Sequence, residues 1–409
     1  MDERDLDQKL REVVRAAYAN ATATKARFDR AGIKPDDIQT VADLAKVPVL
    51  PKDDLVALQQ ADPPFGGMLA VSPREISHIF FSPGPIYEPP ASADNDESGW
   101  EAALSCFTRT GFEAGDVVLN SFSYHLVPAG FLFEQALVRL GCTVIPAGVG
   151  NSELQVQMMR DLGVTGYAGT PSFLMSLIRK AEEMGFDFRK DFKLRKAIVS
   201  AEPLPPDLRQ KLESYGLTVG NAYGTADFGL LALNLGQGMA MQLLAEPIVE
   251  VVDPDTGQRV GPGETGEVVV TNFSRVYPLI RLGTGDMAMN LDPNPGQSRQ
   301  EERSIILVGR SGDAAKVRGM FVHPNQLRFA AGQIPGVQVI QGVVSRPQEK
   351  DHFVLRVAID EGTDQATAAE QISQAVQSVC RVRVDDVEFV EPGTITAESP
   401  GMVDRRDWG

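Results

Sequence analysis

Cysteine and long apolar runs are scarce in this chain of 409 residues. Its three cysteines, Cys106, Cys142 and Cys380, are scattered and lack metal-ligand spacing, which excludes a disulfide framework and predicts buried core positions. No apolar stretch reaches the roughly 18 residues that a membrane-spanning helix needs. The first residues, MDERDLDQKLREVV, are charged and amphipathic, unlike a signal peptide. These absences predict a cytoplasmic protein.

The chain also has fewer basic than acidic residues. The chain has 39 Lys and Arg against 55 Asp and Glu, a formal net charge of −16, and no run of basic residues is long enough to form a patch. Such a surface repels nucleic acid and anionic membranes. The four histidines, His78, His125, His323 and His352, are too dispersed to indicate a metal cluster. We therefore expect neither nucleic acid nor membrane as a partner.

The length of the chain and its alternating patterns carry more information. A chain of 409 residues favours two or more domains. Apolar residues in Leu6–Ala23 recur at helical spacing, which predicts an amphipathic helix. From Trp100 to Asn221 predicted helices alternate with short apolar strands, which is typical of an α/β parallel sheet with helices on both faces and ligands at the strand carboxyl ends. The predicted strands are 117–121, 143–146, 166–169, 196–200 and 217–221, and the helices between them are 98–111, 128–140, 152–162, 172–184 and 205–214.

The pattern changes after Leu230. Alternating strands separated by Gly, Pro and Asp turns predict an antiparallel barrel or distorted sheet. Beyond about Ser311 a compact α+β unit is predicted, with strands at 337–345, 352–360 and 382–391 and a helix at 365–380. The predicted organisation is a large N-terminal domain over 1–310 and a small C-terminal domain over 311–409.

Several motifs occur in a fixed order along the chain. They include LAKVPVLPKDDL at Leu44–Leu55, RLGCTVIPAGVGNSELQVQMMRDL at Arg139–Leu162, SAEPL from Ser200, YGTAD from Tyr223, and RLGTGD ending at Asp286. Together they resemble, nearly end to end, the phenylacetate–CoA ligase-like branch of the adenylate-forming superfamily. The resemblance implies an enzyme that makes an acyl-adenylate from a carboxylic acid and ATP, and then passes the acyl group to coenzyme A. It also implies a small C-terminal domain that rotates between the two half-reactions.

The resemblance implies a nucleotide site after the central strands. Thr225 would bind the α-phosphate, and Asp227 would hold Mg²⁺ where the family usually has a glutamate, one methylene longer. Asp286 would accept the ribose hydroxyls, for which an ionised carboxylate suits two donors. The implied nucleotide-binding residues are Ser200, Ala201, Glu202, Pro203, Asn221, Ala222, Tyr223, Gly224, Thr225, Asp286 and Arg310.

The acyl pocket and the hinge are implied in the same way. Tyr124 and His125 follow the strand at 117–121, where the family has an aromatic wall; His125 is interpreted as a lining or core histidine rather than a base. Gly312 and Asp313 lie near the hinge, where a few residues absorb the backbone change. The resemblance also implies, weakly, a homodimer. The acyl-pocket candidates are Tyr124, His125, Phe173, Ala201 and Phe228.

Two motifs of the family are altered here. The expected Ser/Thr/Gly-rich phosphate loop reads FFSPGPIYEPPASADND, in which prolines lack N–H donors and Glu88, Asp94, Asp96 and Glu97 add negative charge. Met402 stands where the family has its adenylation lysine, and a thioether cannot offset developing negative charge. Lys316, Arg405 or Arg406 would have to substitute with different geometry. Of these, Lys316 is the predicted catalytic cation.

Three functions remain open from the sequence. The first is a divergent acid–CoA ligase for an aryl or medium apolar acid, with ATP, Mg²⁺ and coenzyme A. The second is a partial enzyme that keeps the adenylate pocket and the acyl-transfer step but does not adenylate. The third is a non-catalytic relative that senses AMP or an acyl metabolite. The fold accommodates all three.

Overall fold

The computed structural model describes residues 3–82, 86–89, 100–318, 320–347, 351–396 and 398–406, except the side chains at 3, 4, 311 and 316. It separates into two compact units. The first comprises Met1–Val249, Val269–Thr284 and Gly296–Ile305, and the second comprises Glu250–Val268, Gly285–Pro295 and Ile306–Gly409. The predicted boundary of independently moving domains, between 310 and 311, stays a prediction.

Helices and strands occupy the following segments of the described residues. The helices are α1 (Glu3–Asn20), α2 (Thr22–Arg30), α3 (Lys52–Ala61), α4 (Trp100–Thr110), α5 (Ala129–Arg139), α6 (Ser152–Asp161), α7 (Pro171–Glu183), α8 (Phe188–Asp191), α9 (Pro206–Ser214), α10 (Pro324–Ala331) and α11 (Gln365–Cys380). The strands are β1 (Phe80–Ser82), β2 (Ile86–Glu88), β3 (Val117–Asn120), β4 (Thr143–Pro146), β5 (Gly166–Gly169), β6 (Lys196–Val199), β7 (Thr218–Thr225), β8 (Gly229–Asn234), β9 (Met241–Leu243), β10 (Ile248–Val252), β11 (Thr265–Thr271), β12 (Leu282–Leu291), β13 (Ser304–Arg310), β14 (Ala315–Val317), β15 (Met320–Val322), β16 (Val337–Ser345), β17 (His352–Ile359), β18 (Asp386–Phe389) and β19 (Met402–Asp404).

The amphipathic N-terminal segment is helical, as predicted, but it is not one helix. Helix α1 ends at Asn20 and α2 begins at Thr22, because Ala21 between them adopts extended backbone angles. The apolar side of α1, with Leu10 and Val14 fully buried, packs in a cluster with Phe28 of α2. This burial explains why the helical spacing of the apolar residues begins so close to the N-terminus.

A parallel sheet forms the centre of the first unit, in the order β4-β3-β5-β6-β7. Its strands alternate with helices α4 to α9, so the predicted α/β architecture is confirmed. Side chains of successive residues point to opposite faces of such a sheet. Accordingly Leu119 and Val199 belong to one buried cluster, whereas Val118 and Ile198 belong to another. The two clusters cover the two faces.

Strand β7 is longer than predicted, since it continues past 221 to Thr225 and pairs antiparallel with β8. Strand β9 pairs antiparallel with β8 and also with the start of β13. Strands β10, β11, β12 and β13 are neighbours in that order. The predicted β-rich character after Leu230 is therefore present. Strands β1 and β2 form a separate antiparallel hairpin.

The C-terminal part of the second unit has a four-stranded sheet in the order β18-β17-β16-β19. Helices α10 and α11 pack on it around a core that includes Leu327, Phe353 and Ile372, all fully buried. The predicted bounds of β16 and α11 coincide with the structure. In the part of the chain that the structure describes, no helix combines the length and apolar character needed to cross a bilayer.

Candidate functional site

An apolar cavity of about 300 Å³ lies within the first unit. Its walls come from helices α4 and α5, from the β1–β2 hairpin, and from the residues that follow β6 and end β7. Aromatic rings supply much of the lining, and Phe122 and Phe133 pack with ring centroids 4.3 Å apart. A cavity of this size is at the small end of ligand pockets. It suits a compact apolar molecule.

Two of the five predicted acyl-pocket residues, Ala201 and Phe228, line this cavity. Tyr124 and His125 are not among the lining residues: the Tyr124 hydroxyl accepts a hydrogen bond of 2.8 Å from Asn120 Nδ2, and His125 is exposed. Phe173 packs against the cluster on the opposite face of the sheet. The sequence shows that these residues lie near a strand end, but it does not show on which face of the sheet each side chain lies.

The turn after β6 carries the predicted SAEP motif. Ser200 is buried, and Ala201 has a φ of 69°, in the left-handed region that residues other than glycine adopt infrequently. Glu202 Oε2 accepts a hydrogen bond of 3.3 Å from the backbone N–H of Ser172 at the start of α7, and Pro203 is exposed. This tight turn brings Ser200 and Ala201 to the cavity wall.

The end of β7 forms the adjacent part of the wall. Gly224 is required there, because a Cβ at this position would lie 2.4 Å from the carbonyl oxygen of Gly229. Asn221, Ala222 and Tyr223 precede it in the strand, with Tyr223 8% exposed. Thr225 lines the cavity, and its buried Oγ1 has no hydrogen-bond partner in the described structure. The structure thus brings nucleotide and acyl candidates to one cavity.

Asp227 is buried and forms an ion pair with Lys52, whose Nζ lies 2.6 Å from Asp227 Oδ2. The other oxygen, Oδ1, has no conventional hydrogen-bond partner in the described part of the chain. Sequence reasoning missed Lys52. One feature of the sequence could have indicated it. Lys52 is the first residue of α3, and the helix dipole disfavours a cation at a helix N-terminus unless a nearby anion compensates for it.

Glu88 lines the cavity beside this ion pair and is 3% exposed. Burial, and then the negative charge of Asp227, raise the pKa of Glu88 to about 8. The Ser82 hydroxyl donates a hydrogen bond of 2.5 Å to Glu88 Oε2. A protonated Glu88 can donate to Asp227, whereas two ionised carboxylates would repel each other. Burial and the charge of Asp227 therefore favour the neutral form of Glu88, in contrast to the negative charge that the sequence predicts there.

Replacing Glu88 by glutamine is expected to remove part of the pH dependence of stability. The wild-type folded state keeps this proton up to about pH 8, whereas the unfolded chain releases it near pH 4.5. Wild-type stability therefore falls as pH rises between these values, by about 5 kcal/mol at most. Glutamine keeps the shape and an N–H donor but does not titrate.

Urea unfolding of the wild type and of Glu88→Gln at pH 5 and pH 8 measures this difference. The variant should gain stability relative to the wild type as pH rises. A constant difference between the two proteins across this range would show that Glu88 ionises normally in the folded state.

Most of the predicted phosphate loop lies outside the described residues. This applies to the prolines at 83, 85 and 90 and to Asp94, Asp96 and Glu97.

The remaining nucleotide candidates, Asp286 and Arg310, belong to the second unit. Arg310 Nη1 lies 2.6 Å from Asp286 Oδ1, so the two form an ion pair. Nearby, Glu267 Oε1 accepts a hydrogen bond from the backbone N–H of Gly285, and burial raises the pKa of Glu267. These contacts place the two predicted ribose-binding groups side by side.

The predicted hinge residues Gly312 and Asp313 form a short 3-10 turn directly after β13. Gly309 in β13 has a φ of 145°, and a Cβ there would lie 2.1 Å from the His323 ring. Asp313 Oδ2 is 4.0 Å from His323 Nε2, and burial lowers the pKa of His323. A glycine is therefore needed for the close approach between β13 and the residue that precedes α10.

Met402, which the resemblance places where the family has a lysine, is buried in the core of the second unit. It lies on β19 opposite Gly342 of β16, and a Cβ on Gly342 would be 2.4 Å from the methionine sulfur. Arg406 is also buried, with Nη2 2.6 Å from Asp404 Oδ2 and a second ion pair to Asp351. Lys316 is in β14, and its side chain lies outside the described part. The Arg406 guanidinium is already paired with Asp404 and Asp351.

Known proteins resemble this chain over most of its length. A model of the AMP-binding enzyme family matches residues 100–274, which include the cavity-lining helices and the strand ends. Phenylacetate-coenzyme A ligase of Pseudomonas putida is 33% identical over 335 residues, covering 78% of this chain and 73% of that protein. The protein of the same name from Escherichia coli is 31% identical, covering 95% of this chain and 90% of that one.

The fold comparison covers nearly the whole chain. A crystal structure of an open conformation of 2-hydroxyisobutyryl-CoA ligase, in complex with 2-HIB-AMP and CoA, superposes with a TM-score of 0.79. It is 26% identical and covers 98% of this chain and 91% of the matched chain. The resemblance stated from the motifs is thereby confirmed. On the strength of the sequence identity across most of both chains, this protein belongs to the phenylacetate–CoA ligase family of adenylate-forming enzymes.

Proposed function

We propose that this protein is an ATP-dependent acid–CoA ligase for a small aryl or medium apolar carboxylic acid. The observation that carries the proposal is the position of the cavity. Its apolar walls suit the acyl part of the acid, and Ser200, Ala201, Gly224 and Thr225, which the family resemblance assigns to the nucleotide, line the same cavity. An acid held there has residues for both parts of an acyl-adenylate around it.

The reaction has two steps. A carboxylate oxygen of the acid attacks the α-phosphorus of ATP, the bond from that phosphorus to the bridging oxygen breaks, and pyrophosphate leaves. The sulfur of coenzyme A, having lost its proton, then attacks the acyl carbon, and AMP leaves with the carboxylate oxygen. The apolar cavity favours the first step by excluding water, which would otherwise solvate the carboxylate and hydrolyse the adenylate. The hydroxyl of Thr225 is the proposed donor to the α-phosphate.

The residues around Asp227 fit a magnesium ion. Thr225 Oγ1 and Asp227 Oδ1 accept no conventional hydrogen bond in the described structure, and Mg²⁺, which prefers such hard ligands, would compete with the protonated Glu88 for the Asp227 carboxylate. The described residues contain no group of three or more His, Cys, Asp or Glu side chains suited to a metal. Mg²⁺ usually keeps waters and binds substrate phosphates, so one or two protein ligands suffice. When bound, the ion would neutralise phosphate charge, while Lys52 holds the other oxygen of Asp227.

A second function is favoured by one observation. Met402 is part of the core of the second unit, so the cation that the family uses in adenylation is missing from its usual position. This favours a degenerate member that binds AMP or an acyl-adenylate without making one, acting as an acyl transferase or a metabolite-binding protein. Lys316 remains the proposed replacement cation if adenylation occurs.

Calorimetric titration with ATP and with AMP, each in the presence of Mg²⁺, separates these functions. A ligase binds both nucleotides and releases pyrophosphate when an acid is added, and a panel of aryl and apolar acids would identify the substrate. Binding of AMP with little or no ATP binding, and no pyrophosphate release with any acid, would replace the ligase with the degenerate member.

Replacing Asp286 by alanine is expected to abolish AMP binding. We propose that this carboxylate accepts the two ribose hydroxyls, and buried or enclosed hydrogen bonds to a charged group contribute about 1.5–3 kcal/mol each. Calorimetry measures the affinity, and Glu361→Ala, a change at an exposed carboxylate of the same unit, is the matched control. AMP affinity in Asp286→Ala equal to that of the wild type would overturn the ribose assignment.

We also propose that the region 311–409 moves as a domain about Gly312 and Asp313 between the two steps. Small hinge residues in a turn can absorb such a change in backbone angles. A cytoplasmic location and a homodimer are further proposals, the latter resting on the family resemblance. Sedimentation of the purified protein with and without AMP tests the dimer directly.

A further inference from the structure

Helix α4 supplies two neighbouring residues of the cavity wall. Ala103 and Phe107 both line the cavity and are about one helical turn apart on α4. Ala103 is partly exposed, whereas Phe107 is 0% exposed. The open part of the cavity therefore reaches Ala103, and Phe107 closes it one turn further along the helix.

Helix α4 runs from the carboxyl ends of the strands towards their amino ends. Its last residue, Thr110, lies against Gly220 near the start of β7, since a Cβ on Gly220 would be 2.3 Å from Thr110 Oγ1. At the other end of β7, Gly224 and Thr225 line the cavity where the phosphate is proposed to bind. At about 3.3 Å per residue, Gly220 and Gly224 are about 13 Å apart along the strand. Phe107, one turn before Thr110, is therefore on the side of the cavity remote from the phosphate.

The Phe107 ring is held in place by two other rings. The ring centroids of Phe112 and Phe133 are each 5.7 Å from that of Phe107, with interplanar angles of 81° and 79°. Such edge-to-face contacts are favourable. Phe112 lies against Gly166 at the start of β5, where an added Cβ would be 2.6 Å from its ring, and it is not among the described residues that line the cavity. Phe107 thus separates the cavity from Phe112 and forms a rigid wall.

We propose that Phe107 determines substrate choice by setting the upper limit on the length of the acyl group, with Ala103 providing the room in front of it. The carboxylate of the acid must lie near the strand carboxyl ends to reach the α-phosphate, so the acyl group extends along α4 towards Phe107. This inference rests on the proposed function, because it assigns the cavity to the acyl group. It goes further in naming the residue that limits the substrate and the property that this residue selects.

Binding of a graded series of acids tests the proposal. Calorimetry in the presence of AMP would compare phenylacetate with its 4-methyl, 4-ethyl and 4-propyl derivatives. Each added carbon that is buried should raise the affinity about fourfold until the substituent meets Phe107. The next member should then bind about 5- to 150-fold more weakly, as expected for overpacking against a rigid wall. This break marks the length limit of the wild type.

Variants on the two sides of the wall should move the break in opposite directions. Phe107→Leu should move it to a longer acid, because a smaller side chain opens the closed end. Ala103→Leu should move it to a shorter acid or weaken phenylacetate itself, because the added side chain fills open space. Phe112→Leu, which removes a ring from the far side of Phe107, and Thr108→Leu, which adds a leucine on the exposed side of α4, are the matched controls and should keep the wild-type break.

Several results would overturn the proposal. They are a wild-type series without a break, no binding of any of the four acids, the wild-type break retained in folded Phe107→Leu or Ala103→Leu, and a shifted break in either control. Ala103→Leu decides the question alone if Phe107→Leu does not fold. Pyrophosphate release with the same acids is measured separately. Its absence with the expected shifts would count against the ligase alone, whereas release with an unchanged break in the variants would overturn this inference alone.

Discussion

Replacing Met402 by lysine is expected to destabilise the protein by about 3–5 kcal/mol without creating a catalytic cation, because an unpaired charge in a core is strongly unfavourable. Met402 is 9% exposed and packs against β16 in the core of the second unit. A lysine there must lose its proton or disrupt the strand pairing to reach water. Urea unfolding followed by circular dichroism measures the loss, and pyrophosphate release measures catalysis.

The control for this experiment is Met402→Leu. It conserves volume and apolar character, so its cost should stay below about 1.5 kcal/mol. If Met402→Lys were as stable as Met402→Leu and released pyrophosphate faster than the wild type, the methionine would be a recent loss at an otherwise functional position. The expected result is the opposite, with a destabilised protein and no gain in pyrophosphate release.

Replacing Asp227 by asparagine is expected to lower the rate of adenylation by about 10²–10³, the usual effect of losing one electrostatic contact in a reacting site. Two changes occur together. The proposed magnesium ligand loses its charge, and Lys52, 2.6 Å away, loses its counter-ion. The pKa of Glu88 should also fall, since the charge of Asp227 is one of the causes that raise it. Pyrophosphate release gives the rate, and calorimetry with and without Mg²⁺ gives a readout independent of turnover.

Asp227→Glu is the matched control, because it keeps the charge and restores the longer side chain that is usual in the family. We expect it to retain the increase in ATP affinity that Mg²⁺ produces, whereas Asp227→Asn should lose that increase and keep its affinity for AMP. Full Mg²⁺ dependence in Asp227→Asn would remove Asp227 from the metal site and leave it as the structural partner of Lys52.

The regular elements could be predicted because their periods are visible locally. Helix α11 has the predicted bounds, since its buried residues recur at helical spacing, at Ala368, Ile372, Val376 and Cys380. The break between α1 and α2 was not predicted, because the apolar spacing hardly changes across Ala21 while its backbone does. Strand β7 extends to Thr225 because β8 folds back to pair with it, which is a long-range contact.

The candidate site was predicted in part. Motifs at strand ends identified Ser200, Ala201 and Thr225, since parallel strands place their carboxyl ends at one edge of the sheet. Lys52 was not assigned a role in the site, and Glu88 was predicted only to add negative charge to the phosphate loop. Both come from segments that are distant in sequence from β6 and β7, and each acquires its environment through burial and through contact with Asp227.

The sequence by itself determined the family and the alternation of helices and strands, because these depend on residue order and local periodicity alone. Only the tertiary structure decided that Glu88 is buried beside Asp227, which raises its pKa, that Met402 belongs to a core, and that Phe173 lies on the other face of the sheet from the cavity. The physical reason is that ionisation, packing and exposure depend on the dielectric and the neighbours of a group. Those neighbours are brought together by chain segments far apart in sequence.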